Sequence, residues 1–268
     1  MMAVMNGSIL LATALAVLIL MLTTWLVSLV RKDASVVDIV WGLGFVIVAW
    51  VAFARRRGDS VTTRQILLVA CTTIWGLRLA GYLAWRNHGK GEDFRYRAMR
   101  KKFGPKFPLI SLVTVFGLQG VLMWIISMPV QFGQMKGGRK GLDLWIVAGI
   151  IVWAVGLGCE AIGDLQLAKF KADPANKGLV MNRGLWSWTR HPNYFGDACV
   201  WTGLWLIASS APIARWTIFG PASMTFMLVR VSGVSMLEKT IGRRRPGYAE
   251  YVRTTSAFIP RPPKKLQN

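Results

Sequence analysis

Residues 183–198 read Arg-Gly-Leu-Trp-Ser-Trp-Thr-Arg-His-Pro-Asn-Tyr-Phe-Gly-Asp-Ala. Within eight of them stand a guanidinium, an imidazole, an amide, a phenol and a carboxylate: Arg190, His191, Asn193, Tyr194 and Asp197. Such a set can donate to and accept from a polar ligand, and it carries rings to lie against one. Pro192 has no backbone donor to lose and suits the first turn of a helix. Asp197 then falls one turn after Asn193, on the same face. The run reads as a loop leading into a helix, with its polar side chains converging on a ligand.

Two further groupings could bind the same kind of molecule. Glu160 and Asp164 are four residues apart and share a helical face. They could accept hydrogen bonds from ribose hydroxyls or an amide, or Asp164 could pair with an arginine of a neighbouring helix. Lys171 follows two turns later beside Lys169, where a point charge could meet a phosphate. In the tail, Arg243, Arg244 and Arg245 could hold a phosphate or rest on the membrane surface. Tyr248 and Tyr251, after a Pro-Gly turn, could stack on or hydrogen-bond to an adenosine.

Other chemistries are excluded. The chain has three cysteines, none in a Cys-x-x-Cys pair, and two histidines, so no metal site is expected. No glycine-rich phosphate loop follows a strand, and there is no room for a Rossmann or P-loop domain. Any nucleotide must be held by helices and their loops. No nucleic acid partner is expected.

The elements that position these residues belong in a bilayer. Apolar residues are 53% of the 268 and charged ones 17%, too apolar for a water-facing surface. A spanning helix takes about 20 apolar residues. Seven windows qualify: Ile9–Val30, Val36–Ala54, Ile66–Trp85, Leu109–Val130, Leu142–Leu167, Tyr194–Ala211 and Ala214–Leu237. The first lacks the basic start of a signal peptide and is expected to be retained. The fold class is therefore all-α, a polytopic membrane protein of about seven transmembrane helices. Counting Lys and Arg in alternate loops gives 23 on one side and 8 on the other. Basic loops stay cytoplasmic, which places the N-terminus outside and the C-terminus in the cytoplasm. Asp38, Arg78, Glu160, Asp164, Asp197, Arg230 and Glu238 then all lie toward the cytoplasmic ends of their spans. Charges there are costly, and as a set they point to a polar cavity open to the cytosol.

Arg190-His-Pro-Asn-Tyr-Phe-Gly-Asp197 resembles the signature of the sterol C14/C7/C24 reductases. With Glu160 and Asp164 upstream and the Pro-Gly-Tyr tail downstream, residues 156–262 resemble the C-terminal domain of the steroid 5-alpha-reductase family, most closely its bacterial membrane branch. That resemblance implies a reductase of the bacterial inner membrane holding NADPH in a cytosol-facing cavity. It implies NADPH contacts from Asp164, Lys171, Asn193, Tyr194, Asp197 and Arg230. The chain departs from the steroid enzymes at Glu238, where they carry tyrosine, and at Glu160, where they carry asparagine. Glu160, Glu238, Arg190, His191, Arg244, Arg245, Tyr248 and Tyr251 complete the expected cofactor set. Residues 142–268 are the expected NADPH-binding domain, and 1–141 the domain shaping the substrate pocket.

The steroid enzymes use a glutamate and a tyrosine from early helices to polarise a ketone. The candidates for that pair are Asp38, Tyr82, Glu92, Asp93 and Tyr96. Tyr82 lies four residues after Arg78 on one face and is the first expectation, with Asp38 beside it. Tyr96 is the alternative, or else a cofactor contact. The expected activity is NADPH-dependent reduction of an activated carbon–carbon double bond in a lipid: a steroid-like enone, an isoprenoid or a fatty acyl chain. The rivals are an S-adenosylmethionine-dependent methyltransferase of the isoprenylcysteine carboxyl type and a non-enzymatic lipid-binding or transport protein.

Overall fold

The computed structural model describes residues 2–56, 60–137, 141–231 and 246–264. Among them the regular elements are helical, joined by one isolated parallel bridge between Thr189 and Ser256. Five helical runs are long and apolar enough to cross a membrane: Ser8–Arg31, Val36–Ala54, Thr63–Asn87, Phe94–Ile126 and Leu144–Ala172. They mark an integral membrane protein. Large apolar side chains stand exposed along them, such as Val30 at 84% and Leu109 and Val113 at 70%. Acyl chains, unlike water, solvate such groups without cost.

Four of the first five windows coincide with helices α1 (Met2–Arg31), α2 (Val36–Ala54), α3 (Thr63–Asn87) and α8 (Leu144–Ala172). The remaining one differs in its bounds. Its run begins earlier, with α4 (Phe94–Phe103), and continues through α5 (Phe107–Ser111), a π-helical segment (Leu112–Gly117) and α6 (Leu118–Ile126). It stops at Ser127, because Pro129 cannot continue the ladder and opens the short α7 (Met128–Phe132). After α9 (Leu185–Trp188) comes α10 (Pro192–Ala208), which matches the sixth window but is only 17 residues long. The seventh window begins as a 3-10 helix (Pro212–Ile218), becomes α11 (Phe219–Phe226) and passes into a π turn (Met227–Val231). Its end lies outside the described residues. α12 is Tyr248–Thr254.

The chain forms two compact units. The first comprises Met1–Val147 and Leu204–Gly220, the second Ala148–Gly203 and Pro221–Asn268. The boundary is thus discontinuous, and Leu204–Gly220 returns to the first unit.

In the first unit, α2 and α3 touch backbone to backbone. A Cβ on Gly42 would lie 2.5 Å from the Gly76 carbonyl, and one on Gly76 2.6 Å from the Gly42 carbonyl. Phe45 and Trp75, both fully buried, meet edge to face at 5.6 Å beside this crossing. At the N-terminal end of α3, Arg64 is fully buried and donates to the carbonyls of Gly133 (2.9 Å) and Met135 (3.1 Å). Gln65 and Gln134 exchange side-chain-to-backbone bonds there.

In the second unit, α8 and α10 pack through glycines at seven-residue spacing. A Cβ on Gly196 would sit 2.6 Å from both the Glu160 nitrogen and the Gly156 carbonyl. One on Gly203 would lie 2.7 Å from the Gly149 carbonyl. Small residues let membrane helices approach to this range. Gly163 continues the stripe and faces Pro192. The absence of side chains here draws the polar turn of α8 onto the first turn of α10.

Candidate functional site

The first unit holds an acid–phenol pair. Tyr96 is buried on α4 and donates its hydroxyl hydrogen to Asp38 Oδ1 at 2.7 Å. The other oxygen of Asp38 takes a 2.7 Å ion pair from Arg95 Nη2. Arg95 Nε bonds Asp93 Oδ1 at 2.8 Å, so one guanidinium bridges two carboxylates. Gln119 Nε2 approaches the Tyr96 oxygen at 3.4 Å. Gln119 is the second residue of α6, just past the π-helical segment, whose extra residue per turn re-phases α6 relative to α5.

Local sequence explains why the pair forms. Asp93 caps α4, accepting from the Arg95 backbone at 3.0 Å, and this fixes the first turn that carries Tyr96. The α1–α2 turn is stitched to the same place. The Ala34 backbone donates to Glu92 Oε1 at 2.9 Å, the Asp93 backbone to Ser35 Oγ at 3.1 Å, and Ser35 Oγ to Asp33. Arg100 closes the knot on Glu92 with two bonds of 2.8 and 3.0 Å. Burial pushes the Asp93 carboxyl up, but hydrogen bonds and charge from Arg95, with Arg86, outweigh it and hold it below the ordinary carboxylate range.

Of the three residues read from sequence as catalytic, the structure brings Asp38 and Tyr96 together. Tyr82 sits half-buried on α3 with its ring 5.9 Å from Trp85 and the Arg86 guanidinium 5.8 Å over it. Arg95 and Gln119 were not picked out by sequence. Arg95 resembles any other cation of a basic loop, and only the π segment, invisible in periodicity, turns Gln119 toward Tyr96.

The second unit gathers the other set. Glu160 and Asp164 are buried on one face of α8. Asn193 Nδ2 donates to Asp164 Oδ1 at 3.2 Å, and its own Oδ1 accepts from the Tyr194 backbone at 3.0 Å. His191 is buried, and its ring stacks on Tyr194 at 5.4 Å with planes 3° apart. Asp197 is half-buried one turn further along α10. Lys171 is exposed in the last turn of α8, and Arg230 is exposed in the π turn. Glu238 and Arg243, Arg244 and Arg245 lie outside the described residues.

Arg190, Tyr248 and Tyr251 take part in anchoring the tail. Arg190 Nη1 donates to the carbonyls of Thr255 (2.6 Å) and Val252 (3.2 Å), and its backbone to Ser256 (2.9 Å). The Tyr251 hydroxyl donates to the Trp186 carbonyl, and the Trp186 indole to the Gly163 carbonyl at 3.0 Å. Tyr248 and Tyr251 are buried and meet edge to face at 6.0 Å. Sequence reading missed this anchoring role. The pairing of segments 189–190 and 255–258 is long-range and carries no local pattern.

The donor set of the second unit fits a nucleotide. Buried carboxylates can take hydroxyl hydrogens, an amide can recognise another amide, stacked rings offer a face, and an exposed lysine at a helix end can meet a phosphate. Among the described residues no cluster of three His, Cys, Asp or Glu could hold a metal.

Residues 24–255 match the family described as "Protein of unknown function (DUF1295)". The chain belongs to this family. An uncharacterized protein of Schizosaccharomyces pombe, C594.04c, is 24% identical over 262 residues, spanning 88% of this chain and 75% of that relative. The "Probable O-methyltransferase ustE" of Ustilaginoidea virens is 35% identical over 97 residues, 36% of this chain and 34% of that protein. No solved structure matches significantly.

Proposed function

We propose that this DUF1295 member is an NADPH-dependent reductase of an activated carbon–carbon double bond in a lipid substrate, related to the steroid 5-alpha-reductases. The observation that carries the reading is the Asp38–Tyr96 pair. Here an aspartate and a phenol are bonded at 2.7 Å, and the steroid enzymes that the chain resembles use a carboxylate (a glutamate) and a tyrosine from early helices to polarise a ketone. In this reading the chain crosses the bacterial inner membrane seven times with its C-terminus in the cytoplasm, α10 and the α11 segment completing the five long spans. The basic count of 23 against 8 supports that orientation.

When bound, NADPH would supply a hydride for the electron-poor alkene carbon, and a proton would complete the saturated product. Asp164 and Asn193 would hold the cofactor's polar groups, His191 and Tyr194 would offer a ring face, and Lys171 a phosphate contact. Tyr96 would turn its hydrogen from Asp38 to the substrate carbonyl as negative charge develops. Arg95, still paired with Asp38, would keep the carboxylate and the ring in register.

The test is a fluorescence titration of purified protein with NADPH, NADH and S-adenosylmethionine, followed by NADPH oxidation with a panel of lipid enones. Preferential NADPH binding is expected. Tyr96→Phe should then slow turnover by about 10²-fold with cofactor affinity little changed, while Tyr82→Phe stays near wild type. Turnover lost in Tyr82→Phe alone would overturn the Tyr96 assignment.

A second reading has one observation behind it, the partial match to a probable O-methyltransferase. It assigns the second unit's cluster to S-adenosylmethionine. Tight binding of that cofactor, with none of NADPH, would select it.

A further inference from the structure

The surface of α4 opposite Tyr96 has a chemistry of its own. Phe94, Arg97, Ala98, Lys101 and Lys102 are all exposed, and their spacing of three or four residues makes them one stripe. Tyr96 and Arg100 lie on the other side, held by Asp38 and Glu92. No acid occurs between Phe94 and Phe103. Arg95 and Arg100 are neutralised by Asp38, Asp93 and Glu92, whereas Arg97, Lys101 and Lys102 make no ion pair among the described residues. Lys102 lies over the Phe103 ring at 5.1 Å. After Gly104, whose φ of 52° turns the chain, exposed Lys106 leads into the apolar run carrying exposed Leu109 and Val113.

We propose that this stripe of α4 is a docking surface for anionic phospholipid headgroups. Unpaired cations at the very start of an apolar span lie where phosphate-bearing headgroups are densest. A soluble phosphate would account for the cations alone. It would not account for Phe94, 62% exposed on the same stripe, which a lipid interface accommodates. The surface is independent of which cofactor the second unit binds. It has a consequence for the first unit, since the helix held at the headgroups is the one that presents Tyr96 to Asp38.

The experiment is amide hydrogen exchange on the full chain in nanodiscs of phosphatidylcholine alone, or of phosphatidylcholine with phosphatidylglycerol, read in peptides covering 94–106. Exchange is expected to slow by at least about fivefold with phosphatidylglycerol, the weight of a single cation at an anionic surface. Added salt should erode the difference, and the Arg97→Gln/Lys101→Gln/Lys102→Gln variant should abolish it. Equal exchange in the two bilayers would overturn the proposal, as would a salt-insensitive difference or one that survives in the variant. Equivalent slowing by NADPH in phosphatidylcholine discs would also overturn it, assigning the cations to a soluble phosphate.

Discussion

The two polar clusters are held by opposite means. In the first unit, Asp38, Glu92, Asp93, Arg95 and Arg100 fix one another by ion pairs of 2.7–2.8 Å, and Tyr96 rides on that lattice. In the second, Asp164 and Asn193 are brought within 3.2 Å by helices that approach through Gly156, Gly163, Gly196 and Gly203. One region specifies geometry by charge, the other by shape. A charge-built site should respond to protonation and to loss of a partner. A shape-built site should fail when volume is added.

Adding volume makes the largest effect expected. Gly196→Leu would drive a side chain into the backbone of Gly156 and Glu160, where nothing can rotate away. Overpacking of flexible cores already costs about 1–3 kcal/mol, and this clash should exceed that range. Gly158→Leu is the control on the same helix, with nothing within 4 Å of its added Cβ. Thermal melts in detergent should show Gly196→Leu unfolded or far below wild type and Gly158→Leu close to it. Similar melts for both would break the claim that glycine contact builds the second region.

Removing a partner is the matching attack on the first region. Asp38→Ala leaves the buried Tyr96 hydroxyl without its acceptor and Arg95 without one of its two carboxylates. An orphaned buried donor costs about 1–3 kcal/mol. Asp38→Asn should recover part of this, since an amide oxygen still accepts from the phenol. A melt in which Ala and Asn behave alike would mean that Tyr96 finds another acceptor.

Arg190→Ala sharpens the comparison within the second unit, where one charged group does hold structure. Its loss removes bonds to Val252 and Thr255 but leaves the Arg190 backbone bond to Ser256. The expected result is local: exchange in 248–256 faster by about tenfold, or about 1.4 kcal/mol, with α2 and α3 unchanged. Uniform acceleration along the chain would show that Arg190 supports far more than the tail.

The same contrast decides what was legible in the sequence. Spans follow from composition, so α1, α2, α3 and α8 fell where apolar runs put them. The Pro192 helix start and the shared helical faces of Glu160 with Asp164 and of Asn193 with Asp197 were also accessible, because a proline and a four-residue spacing are local signals; the Asn193–Asp164 bond, between residues 29 positions apart, was not. Nor was the Asp38–Tyr96 contact. Tyr82 had an arginine one turn before it, a pattern visible in one dimension. Tyr96 gains its partner from a residue 58 positions away, through a turn that Ser35, Glu92 and Asp93 must first stitch. The tail anchors on Arg190 and Tyr251 are equally long-range. The π segment that aims Gln119 leaves no trace in hydropathy.

The smallest expected effect tests the charge-built region by pH. Asp93 titrates below its ordinary value of 3.8 because Arg95 and Arg86 outweigh the burial that would raise it. A carboxyl depressed on folding adds stability that is complete above its unfolded pKa and lost as pH falls through the folded one. Asp93→Asn keeps a capping side chain on α4 but gives up the charge that Arg95 binds. The stability gap between wild type and Asp93→Asn should therefore be constant at neutral pH and shrink as pH drops below about 4, the unfolded carboxylate range. Asp93 is partly solvated, with 30% of its side chain exposed, so the gap itself should be modest, as for other exposed pairs. Melts of both proteins across that pH range, with Gly158→Leu in parallel, provide the measurement. A gap that holds steady into acid would mean Asp93 serves as a cap alone, and that the first region depends on charge at Asp38 and Glu92 but not at the turn between them.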